Sequence, residues 1–235
     1  MVVVRHGEVG TKSEHVRRKM EGRLRENLAA LLADRGVEGE VGGERYRLLV
    51  HAEDVEDVEA ACDAATDAFG VVSASPARRV EPTMDAMCEA LAGAAREHYD
   101  GGTFAVRARP AGEAGDHPFT SQDIQREGGS AVWAAAESEG VDPVVDLDDP
   151  DLTLFVECRA DVAYVFLEKR AGPGGLPLGT QDPVVALLSG GLDSPVAAWE
   201  LMRRGTPVVL LYVDLGDYGG VDHRARAEAT AAELG

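Results

Sequence analysis

Apolar residues recur along this chain in two different periods, and the period separates the helices from the strands. After a loop that ends at Ser13, apolar residues three and four positions apart form one stripe, which predicts a helix of about twenty residues. That stripe consists of Val16, Met20, Leu24, Leu28, Leu31 and Leu32. Two more helices are predicted, an acidic, alanine-rich one over about 53–69 and one that starts near Thr83. A fourth, capped by Thr120 or Ser121, should turn three apolar residues inward: Ile124, Val132 and Trp133.

Short apolar or alternating runs between these helices predict the strands. The predicted strands are residues 2–5, 45–50, 71–80 (interrupted at Pro76), 103–109, 152–159 and 162–168. Apolar and polar residues alternate in the strand at 103–109, which places Arg107 and Arg109 on one face. Because two residues separate the last two strands, a β-hairpin is predicted there.

The last part of the chain has continuous apolar runs, which are typical of strands buried on both faces of a parallel sheet. One run covers residues 184–188 and is followed by a glycine turn and a helix start. A second run covers 207–213, and another helix is predicted to begin near Asp222. Strand, helix and strand in this order predict one right-handed βαβ unit.

The order of elements predicts an α+β N-terminal region followed by the start of an α/β domain with a doubly wound parallel sheet. Between the two regions, residues 170–182 are rich in glycine and proline, which is typical of a linker. We therefore expect the second region to cover residues 183–235.

Residues 189–194, Ser-Gly-Gly-Leu-Asp-Ser, carry the most specific chemistry of the sequence. The two glycines allow unusual backbone conformations and let a ligand approach the main chain closely. Ser194 suits a helix cap, and Pro195 suits the first helical turn, where a missing N–H is no loss. Free N–H groups and two hydroxyls at the positive end of a helix are typical of a phosphate site. The Gly-Lys-Ser/Thr of a Walker A loop is absent, which excludes the common P-loop.

The formal net charge of −19 is large for 235 residues, and only three of the 23 basic residues are lysine. A surface this acidic normally disfavours nucleic acid, because phosphate contacts supply much of that affinity. We interpret the charge as adaptation to concentrated salt, in which screening is strong and self-repulsion is weak. On this interpretation the net charge does not exclude an RNA partner.

Residues 1–25 depart from this acidic background, with seven basic residues against three acidic ones and a local net charge of +4. A solvated helix face and a surface that faces a polyanion both explain such a run. We predict RNA contacts by basic residues of the N-terminal region, namely Lys12, Arg17, Arg18, Lys19, Arg107 and Arg109.

The cysteines and the apolar runs indicate the compartment. Cys62, Cys88 and Cys158 are odd in number and far apart, so they match neither a zinc site nor a disulfide framework. Such cysteines suit a reducing environment, and we expect a cytoplasmic protein. No apolar run is long enough to cross a bilayer, and the first residues do not have the pattern of a signal peptide.

Four motifs follow one another in an order that resembles the ThiI-type tRNA sulfurtransferases, the tRNA 4-thiouridine synthetases. They are Gly-Glu-Val-x-x-Lys-Ser at 7–13, Phe-Thr-Ser-x-Asp-Ile-x-Arg-x-Gly-Gly at 119–129, Gly-Thr-Gln at 179–181 and Ser-Gly-Gly-Leu-Asp-Ser-Pro-Val-Ala at 189–197. The last motif alone resembles the SGGxDS pyrophosphate loop of PP-loop ATP pyrophosphatases. All four together are more specific, and the resemblance covers essentially the whole chain.

The resemblance implies a ferredoxin-like domain at 1–55, a THUMP RNA-binding domain at 56–169 and an incomplete PP-loop ATP pyrophosphatase domain at 183–235. It implies that ATP, with Mg²⁺, adenylates the C4 oxygen of a uridine in tRNA and releases pyrophosphate. A persulfide sulfur then displaces AMP. The implied partners are tRNA and a cysteine desulfurase or another persulfide donor, with a homodimer as an open alternative. In some lineages this family also supplies sulfur for thiamine thiazole synthesis.

The resemblance assigns the phosphates to the loop and the adenosine to the carboxyl ends of the two parallel strands. The phosphate-binding set is Ser189, Gly190, Gly191 and Ser194. The adenosine-binding set is Leu187, Leu188, Tyr212 and Val213. Asp193 orients the metal or the loop, and helix capping is its alternative role. None of the three cysteines aligns with the catalytic cysteines of the family, so we expect this chain alone to lack sulfur-transfer activity.

Three other interpretations remain open at this point. The loop could be a strand-to-helix turn that merely contains glycines. The chain could be a THUMP-containing tRNA-binding module, for which Asp193→Ala would leave ATP binding unchanged. It could also be another PP-loop enzyme that adenylates a small molecule, which would release pyrophosphate without tRNA.

Overall fold

The computed structural model describes residues 1–44, 47–110, 117–214, 216 and 221–234. The chain forms two compact units. The middle unit contains residues 1–2 and 75–169, and the terminal unit contains residues 3–74 and 170–235. None of the described helices combines the length and the apolar character needed to span a membrane. The start of the strand predicted over 45–50 lies outside the described residues.

The predicted helices and strands occur in the predicted order, and the structure adds three strands that were not predicted, at Glu40–Glu44, Val144–Val145 and Arg170–Ala171. The helices are α1 (Glu14–Asp34), α2 (Val55–Asp67), α3 (Met84–His98), α4 (Ser121–Ser138), α5 (Asp193–Arg203) and α6 (Val221–Leu234). The strands are β1 (Val2–His6), β2 (Glu40–Glu44), β3 (Arg47–His51), β4 (Val71–Pro76), β5 (Arg78–Val80), β6 (Thr103–Pro110), β7 (Val144–Val145), β8 (Leu152–Cys158), β9 (Ala163–Phe166), β10 (Arg170–Ala171), β11 (Val184–Leu187) and β12 (Val208–Leu211). A short 3₁₀-helix at Glu8–Thr11 follows β1.

The terminal unit contains a five-stranded sheet with the order β10-β4-β1-β3-β2. β2 and β3 pair in antiparallel fashion, and so do β10 and β4. Most of the predicted stripe of α1 is buried, at Met20, Leu24, Leu28 and Leu32. Because β4 is hydrogen-bonded to β1, the residues just before position 75 lie with the first sheet, whereas the resemblance implied a boundary near residue 55.

The middle unit contains a second five-stranded sheet with the order β5-β9-β8-β6-β7. β8 and β9 form the predicted antiparallel hairpin, and β6 runs parallel to both β8 and β7. The core of this unit lies between one face of the sheet and the helices α3 and α4. Sheet residues in this core include Phe104, Val106, Leu154, Val156 and Val165.

Thr120 caps α4, which settles the choice between the two predicted caps. The Thr120 hydroxyl accepts the Asp123 N–H at 3.2 Å, and Asp123 Oδ2 accepts the Thr120 N–H at 2.9 Å. Ile124 and Val132 are buried as predicted, but Trp133 is 39% exposed, so its predicted inward position is wrong. Consecutive helical residues point about 100° apart, and the core side of α4 is taken by its neighbour.

β11 and β12 pair in parallel through α5, which confirms the predicted βαβ arrangement. The predicted burial of both faces is wrong, since Val185 and Leu187 are 64% and 65% exposed. Val185 and Leu187 are two residues apart and so lie on one face of the sheet, which they share with the exposed Val209 that pairs with Val185, and this face is uncovered in the described part of the chain.

Candidate nucleotide-binding site and RNA-binding faces

The predicted phosphate loop lies between β11 and α5 and is held closed by two serines. Ser189 N–H donates to Ser194 Oγ at 3.2 Å, and the two hydroxyl oxygens are also 3.2 Å apart. α5 begins at Asp193, and its N-cap position is Leu192, which makes no side-chain capping bond. The predicted capping role of Ser194 is therefore wrong, because its hydroxyl folds back to the start of the loop.

Gly190 has a backbone φ of +74°, so the predicted need for glycine is met at this position. A Cβ at Gly190 would lie 2.7 Å from the carbonyl oxygen of His223, which belongs to the first turn of α6. His223 Nδ1 in turn lies 3.5 Å from the Ser189 carbonyl oxygen. Sequence reasoning did not identify His223, since nothing in the local pattern shows that α6 returns to this loop.

The loop keeps N–H groups that an anion could use. Gly191 N–H makes a long 3.4 Å bond to Ser189 Oγ, whereas the amides of Gly190 and Leu192 have no acceptor among the described residues. Asp193 is exposed beside them at the start of α5. Free amides at the positive end of a helix favour a bound phosphate group.

A cleft of about 260 Å³ opens at the carboxyl ends of β11 and β12, where the adenosine was predicted. It is lined by Leu188, Leu210, Tyr212, Asp214, Arg224, Ala227, Glu228 and Ala231. Two of the four predicted adenosine contacts, Leu188 and Tyr212, are in this lining, whereas Leu187 and Val213 are exposed outside it.

Three charged residues that the sequence analysis missed form the polar part of the cleft. Arg224 Nε donates to Glu228 Oε1 at 2.8 Å, and Arg224 Nη1 lies 4.0 Å from Asp214 Oδ2. The hydrogen bond to Glu228 raises the pKa of the Arg224 guanidinium. Arg224 and Glu228 are four residues apart on α6, which is ordinary helix spacing and gives no signal of a site.

The predicted basic residues of the terminal unit lie on or before α1, with different exposures. Arg18 and Lys19 are exposed, and Arg18 pairs with Glu14 at 2.5 Å. Lys12 is half-buried. The Arg17 side chain is only 16% exposed, and its Nε lies 3.6 Å from Glu21 Oε1.

The two predicted basic residues of the middle unit, Arg107 and Arg109, are exposed on one face of β6. This face is opposite to the one that carries Phe104 and Val106 into the core. Arg107 Nη2 donates to the Leu147 carbonyl oxygen. The predicted alternation of this strand is therefore present in the structure.

A buried polar cluster lies beneath α1. The His6 side chain is 2% exposed, and its Nε2 lies 3.2 Å from Glu21 Oε1. Burial, reinforced by Arg47 and Arg17, lowers the pKa of His6 to about 4. Burial also raises the pKa of Glu21, against the opposing effect of Arg17. His6 is consequently neutral at neutral pH.

The three cysteines lie in environments that do not favour a nucleophilic thiolate. Cys62 and Cys158 are buried, and burial raises the pKa of Cys158 to about 11. Burial and nearby acidic residues also raise the pKa of Cys88. The thiolate is the reactive form of cysteine, so these thiols are poorly suited to carry sulfur. Among the described residues no cluster of three His, Cys, Asp or Glu side chains could hold a metal ion.

Comparison with known protein families divides the chain into three modules. The ThiI ferredoxin-like domain matches residues 1–75, and the THUMP domain matches residues 81–168. The family described as thiamine biosynthesis protein (ThiI) matches residues 179–234. The fold and the loop at 189–194 thus define a class of protein with three modules: a ferredoxin-like domain, a THUMP domain and a ThiI domain.

Proteins that match almost the whole of this chain share one name. A probable tRNA sulfurtransferase of Halobacterium salinarum is 63% identical over 99% of this chain and 58% of its own length. A probable tRNA sulfurtransferase of Methanosarcina acetivorans is 43% identical over 97% of this chain and 54% of its own length. The chain belongs to the ThiI family of tRNA sulfurtransferases, and it spans little more than half the length of these relatives.

Two solved structures share the fold. PH1313 from Pyrococcus horikoshii superposes with a TM-score of 0.79 at 26% identity, over 99% of this chain and 73% of its own. A 4-thiouridine synthetase, crystallised with RNA and bound ATP, superposes with a TM-score of 0.70 at 24% identity, over 99% of this chain and 56% of its own. These superpositions confirm the predicted fold class, with ferredoxin-like and THUMP modules before an α/β module.

Proposed function

We propose that the protein containing this chain transfers sulfur to a uridine of tRNA at the expense of ATP, forming 4-thiouridine. The observation that carries the proposal is the loop at 189–194, which presents free amides at the start of α5. The names of the relatives and the RNA and ATP in a structural neighbour support the same reaction. Because the chain spans 58% of its Halobacterium relatives, this is a proposal for the whole protein.

The loop would hold the phosphates of ATP. Gly190 and Leu192 offer amide donors, and Ser189 and Ser194 offer hydroxyls that now bond to each other. ATP would supply an adenylate on the uridine oxygen, since a carbonyl oxygen leaves poorly on its own. Asp193 is the exposed carboxylate nearest in sequence to these donors. We assign to it one ligand of Mg²⁺, which usually takes one or two carboxylates together with phosphate oxygens.

The cleft beside the loop would hold the adenosine. Leu188 and Tyr212 provide apolar surface for the base, and Asp214 and Glu228 provide acceptors at the polar end. Leu187 and Val213, the other two predicted contacts, flank the cleft in sequence without lining it. The pocket therefore supports the strand ends as the adenosine site but favours different side chains.

RNA would bind to the basic residues of both units. The contributing residues are Lys12, Arg17, Arg18, Lys19, Arg107 and Arg109. Arg18, Lys19, Arg107 and Arg109 are exposed and suited to phosphate contacts, whereas most of Arg17 is turned toward Glu21. Each lost phosphate contact should reduce the salt dependence of binding by about one unit of slope.

Sulfur would come from a persulfide donor such as a cysteine desulfurase. The raised pKa values of Cys88 and Cys158 support the prediction that this chain by itself does not transfer sulfur. A cytoplasmic location, a homodimer and a sulfur supply to thiamine synthesis remain parts of the proposal.

The decisive test is analysis of tRNA nucleosides from cells that lack the gene. The proposal expects 4-thiouridine to disappear and to return with the wild-type gene but not with Asp193→Ala. Asp161→Ala, in the β8–β9 hairpin, is the matched control and should restore the nucleoside. Retained 4-thiouridine in the deletion strain would contradict the proposal.

Purified protein separates the alternatives. Equal ATP affinity of the wild type and Asp193→Ala would favour a tRNA-binding module without catalysis. Pyrophosphate release that needs no tRNA would favour another adenylating enzyme. Charge reversal at Arg18 and Lys19 should weaken tRNA binding in low salt, whereas Arg96→Glu at the end of α3 should not.

A further inference from the structure

Residues 173–181, which we call the strap, have the composition of a flexible linker but lie in a dense set of contacts. The strap joins two parts of the terminal unit, the ferredoxin-like module and α5. It contains the Gly-Thr-Gln motif at 179–181, to which the proposed reaction assigns no role. The contacts on its two sides indicate what the strap does.

On one side the strap binds the carboxyl end of α5. Leu176 N–H donates to the Arg203 carbonyl oxygen at 2.9 Å. The amides of Gly179, Thr180 and Gln181 all approach the Gly205 carbonyl oxygen, at 3.0, 3.1 and 3.0 Å. The bond to Arg203 satisfies a carbonyl group that the helix end leaves without a partner, and the three bonds to Gly205 hold the residue just beyond that end.

Two glycines make this approach possible. A Cβ at Gly175 would lie 2.0 Å from the Arg203 carbonyl oxygen. A Cβ at Gly205 would lie 2.2 Å from Thr180 Oγ1. The strap and the helix end therefore fit together only with glycine at both positions.

On the other side the strap binds the ferredoxin-like module. Gly174 of the strap makes two backbone hydrogen bonds to this module. Its carbonyl oxygen accepts the Gly70 N–H at 2.7 Å, and its own N–H donates to the Val71 carbonyl oxygen at 2.7 Å. Asn27 of α1 donates to the Leu178 carbonyl oxygen at 3.0 Å. Leu176 is buried in one apolar cluster with Val9 and Met20.

Side chains of α5 and of the residue after it also contact the ferredoxin-like module directly, beside the strap. Arg204 Nη1 lies 3.0 Å from both carboxylate oxygens of Glu8. Phe69 and Trp199 meet edge to face with ring centroids 5.7 Å apart. Glu8 and Val9 belong to the motif at 7–13, so this motif supplies the surface on which the strap and α5 rest.

The two ends of α5 thus have different tasks. Its amino end carries the phosphate loop, and its carboxyl end is fastened by the strap to the module that contains α1. α5 has 11 residues and is about 16 Å long, so a change of angle at the fastened end moves the loop. α1 supplies Met20 and Asn27 to the strap and presents Arg18 and Lys19 to solvent.

We propose that the strap is a positioning element that fixes the RNA-binding face of α1 relative to the phosphate loop. RNA held on α1 then meets the nucleotide in one orientation, and no domain movement is needed to align them. This inference rests on the proposed function. Gly175, Leu176 and Gly205 are its positioning residues, and they lie at the carboxyl end of α5, whereas the phosphate loop lies at its amino end.

The experiment compares Gly175→Ala with Gly174→Ala in the full-length protein. Both glycines have positive φ, at +75° and +67°, so alanine strains the backbone equally. Only Gly175 meets a neighbour, because a Cβ at Gly174 has nothing within 4 Å. Gly174→Ala is therefore a control for strain without loss of the fit.

We expect Gly175→Ala to release the amides of Leu176, Gly179, Thr180 and Gln181 to hydrogen exchange. The kcat of thiolation should fall about 10-fold to 100-fold, because small errors of alignment have large effects on rate. The dissociation constants of ATP and tRNA, measured separately, should stay close to the wild-type values. Gly174→Ala should match the wild type in exchange and in kcat.

A second set of variants avoids dependence on one substitution. Glu8→Arg and Arg204→Glu should each lower kcat, and the double exchange should restore it, because the pair is re-formed with opposite polarity. An unchanged kcat in spite of lost protection would overturn the inference. So would a parallel loss of ATP affinity, which would show that the strap only supports the fold of the loop. Absence of thiolation in the wild type would instead count against the proposed function, and the exchange data would still report on the strap.

Discussion

Two adjacent glycines in α4 show how different the roles of one residue type can be. Both belong to the motif at 119–129, and sequence alone does not distinguish them. A Cβ at Gly128 would lie 2.6 Å from Leu91 Cδ1, in the core between α3 and α4. A Cβ at Gly129 would have nothing within 4 Å. The sequence shows the motif, but only the position of α3 shows that Gly128 is the glycine needed for packing.

Alanine substitutions at these glycines should have opposite effects on stability. Gly128→Ala should lower the free energy of unfolding by roughly 1–3 kcal/mol, because Leu91 is fully buried and has little room to move. Gly129→Ala should raise it by up to about 1 kcal/mol, since alanine favours the helix. Urea unfolding of both variants measures the difference. Equal effects would show that α3 and α4 do not approach each other at Gly128.

The buried His6 gives the terminal unit a specific dependence on pH. In the unfolded chain His6 takes up a proton near its ordinary pKa of 6.5, whereas the folded state resists protonation until about pH 4. Lowering the pH through this window therefore favours the unfolded state, by roughly 3 kcal/mol in total. Above pH 6.5 the contribution is fully present.

His6→Phe should remove this part of the pH dependence. Unfolding midpoints in urea at pH 7 and pH 5 would be measured for the wild type, His6→Phe and the exposed control His15→Phe. We expect the wild type and the control to lose stability on acidification by more than His6→Phe does. A loss of the same size in all three proteins would mean that His6 is accessible to protons in the folded state.

At the scale of elements, local patterns predict the helices and strands well, but they do not predict what lies against them. The spacing of apolar residues located α1, the β8–β9 hairpin and the parallel pair of β11 and β12. The direction of Trp133, the bond between Ser189 and Ser194 and the return of His223 to the loop all depend on distant segments. For the same reason the three charged residues of the cleft, Asp214, Arg224 and Glu228, were missed.

The cap of α4 is an element-scale feature that a pair of substitutions can test. Thr120→Ala should destabilise the protein by about 1 kcal/mol, because it removes the acceptor of the Asp123 N–H. Ser121→Ala should have little effect, since Ser121 lies inside the helix. Thermal unfolding of the two variants provides the comparison. A larger effect at Ser121 would place the start of the helix one residue later.

At the scale of the whole molecule, a net charge of −19 predicts that salt stabilises the fold. Raising KCl from about 0.1 M to about 1 M shortens the screening length from about 10 Å to about 3 Å, which weakens the repulsion among carboxylates. The midpoint of thermal unfolding should rise through this range. Sucrose at matched osmolality stabilises proteins by exclusion and not by screening, so a rise of the midpoint in KCl that exceeds the rise in sucrose is the electrostatic part. A midpoint that is independent of KCl would contradict the prediction.

The uncovered apolar side of the β11–β12 pair has a practical consequence in the same solutions. In this chain Val185, Leu187 and Val209 expose apolar surface to water, and repulsion between like-charged copies of the chain opposes contact between such surfaces. The same KCl that stabilises the fold also screens this repulsion, so that apolar surfaces of different copies can associate. Light scattering should therefore increase with KCl while the unfolding midpoint rises. Dilute samples are needed to measure the unfolding midpoint without association of the chains.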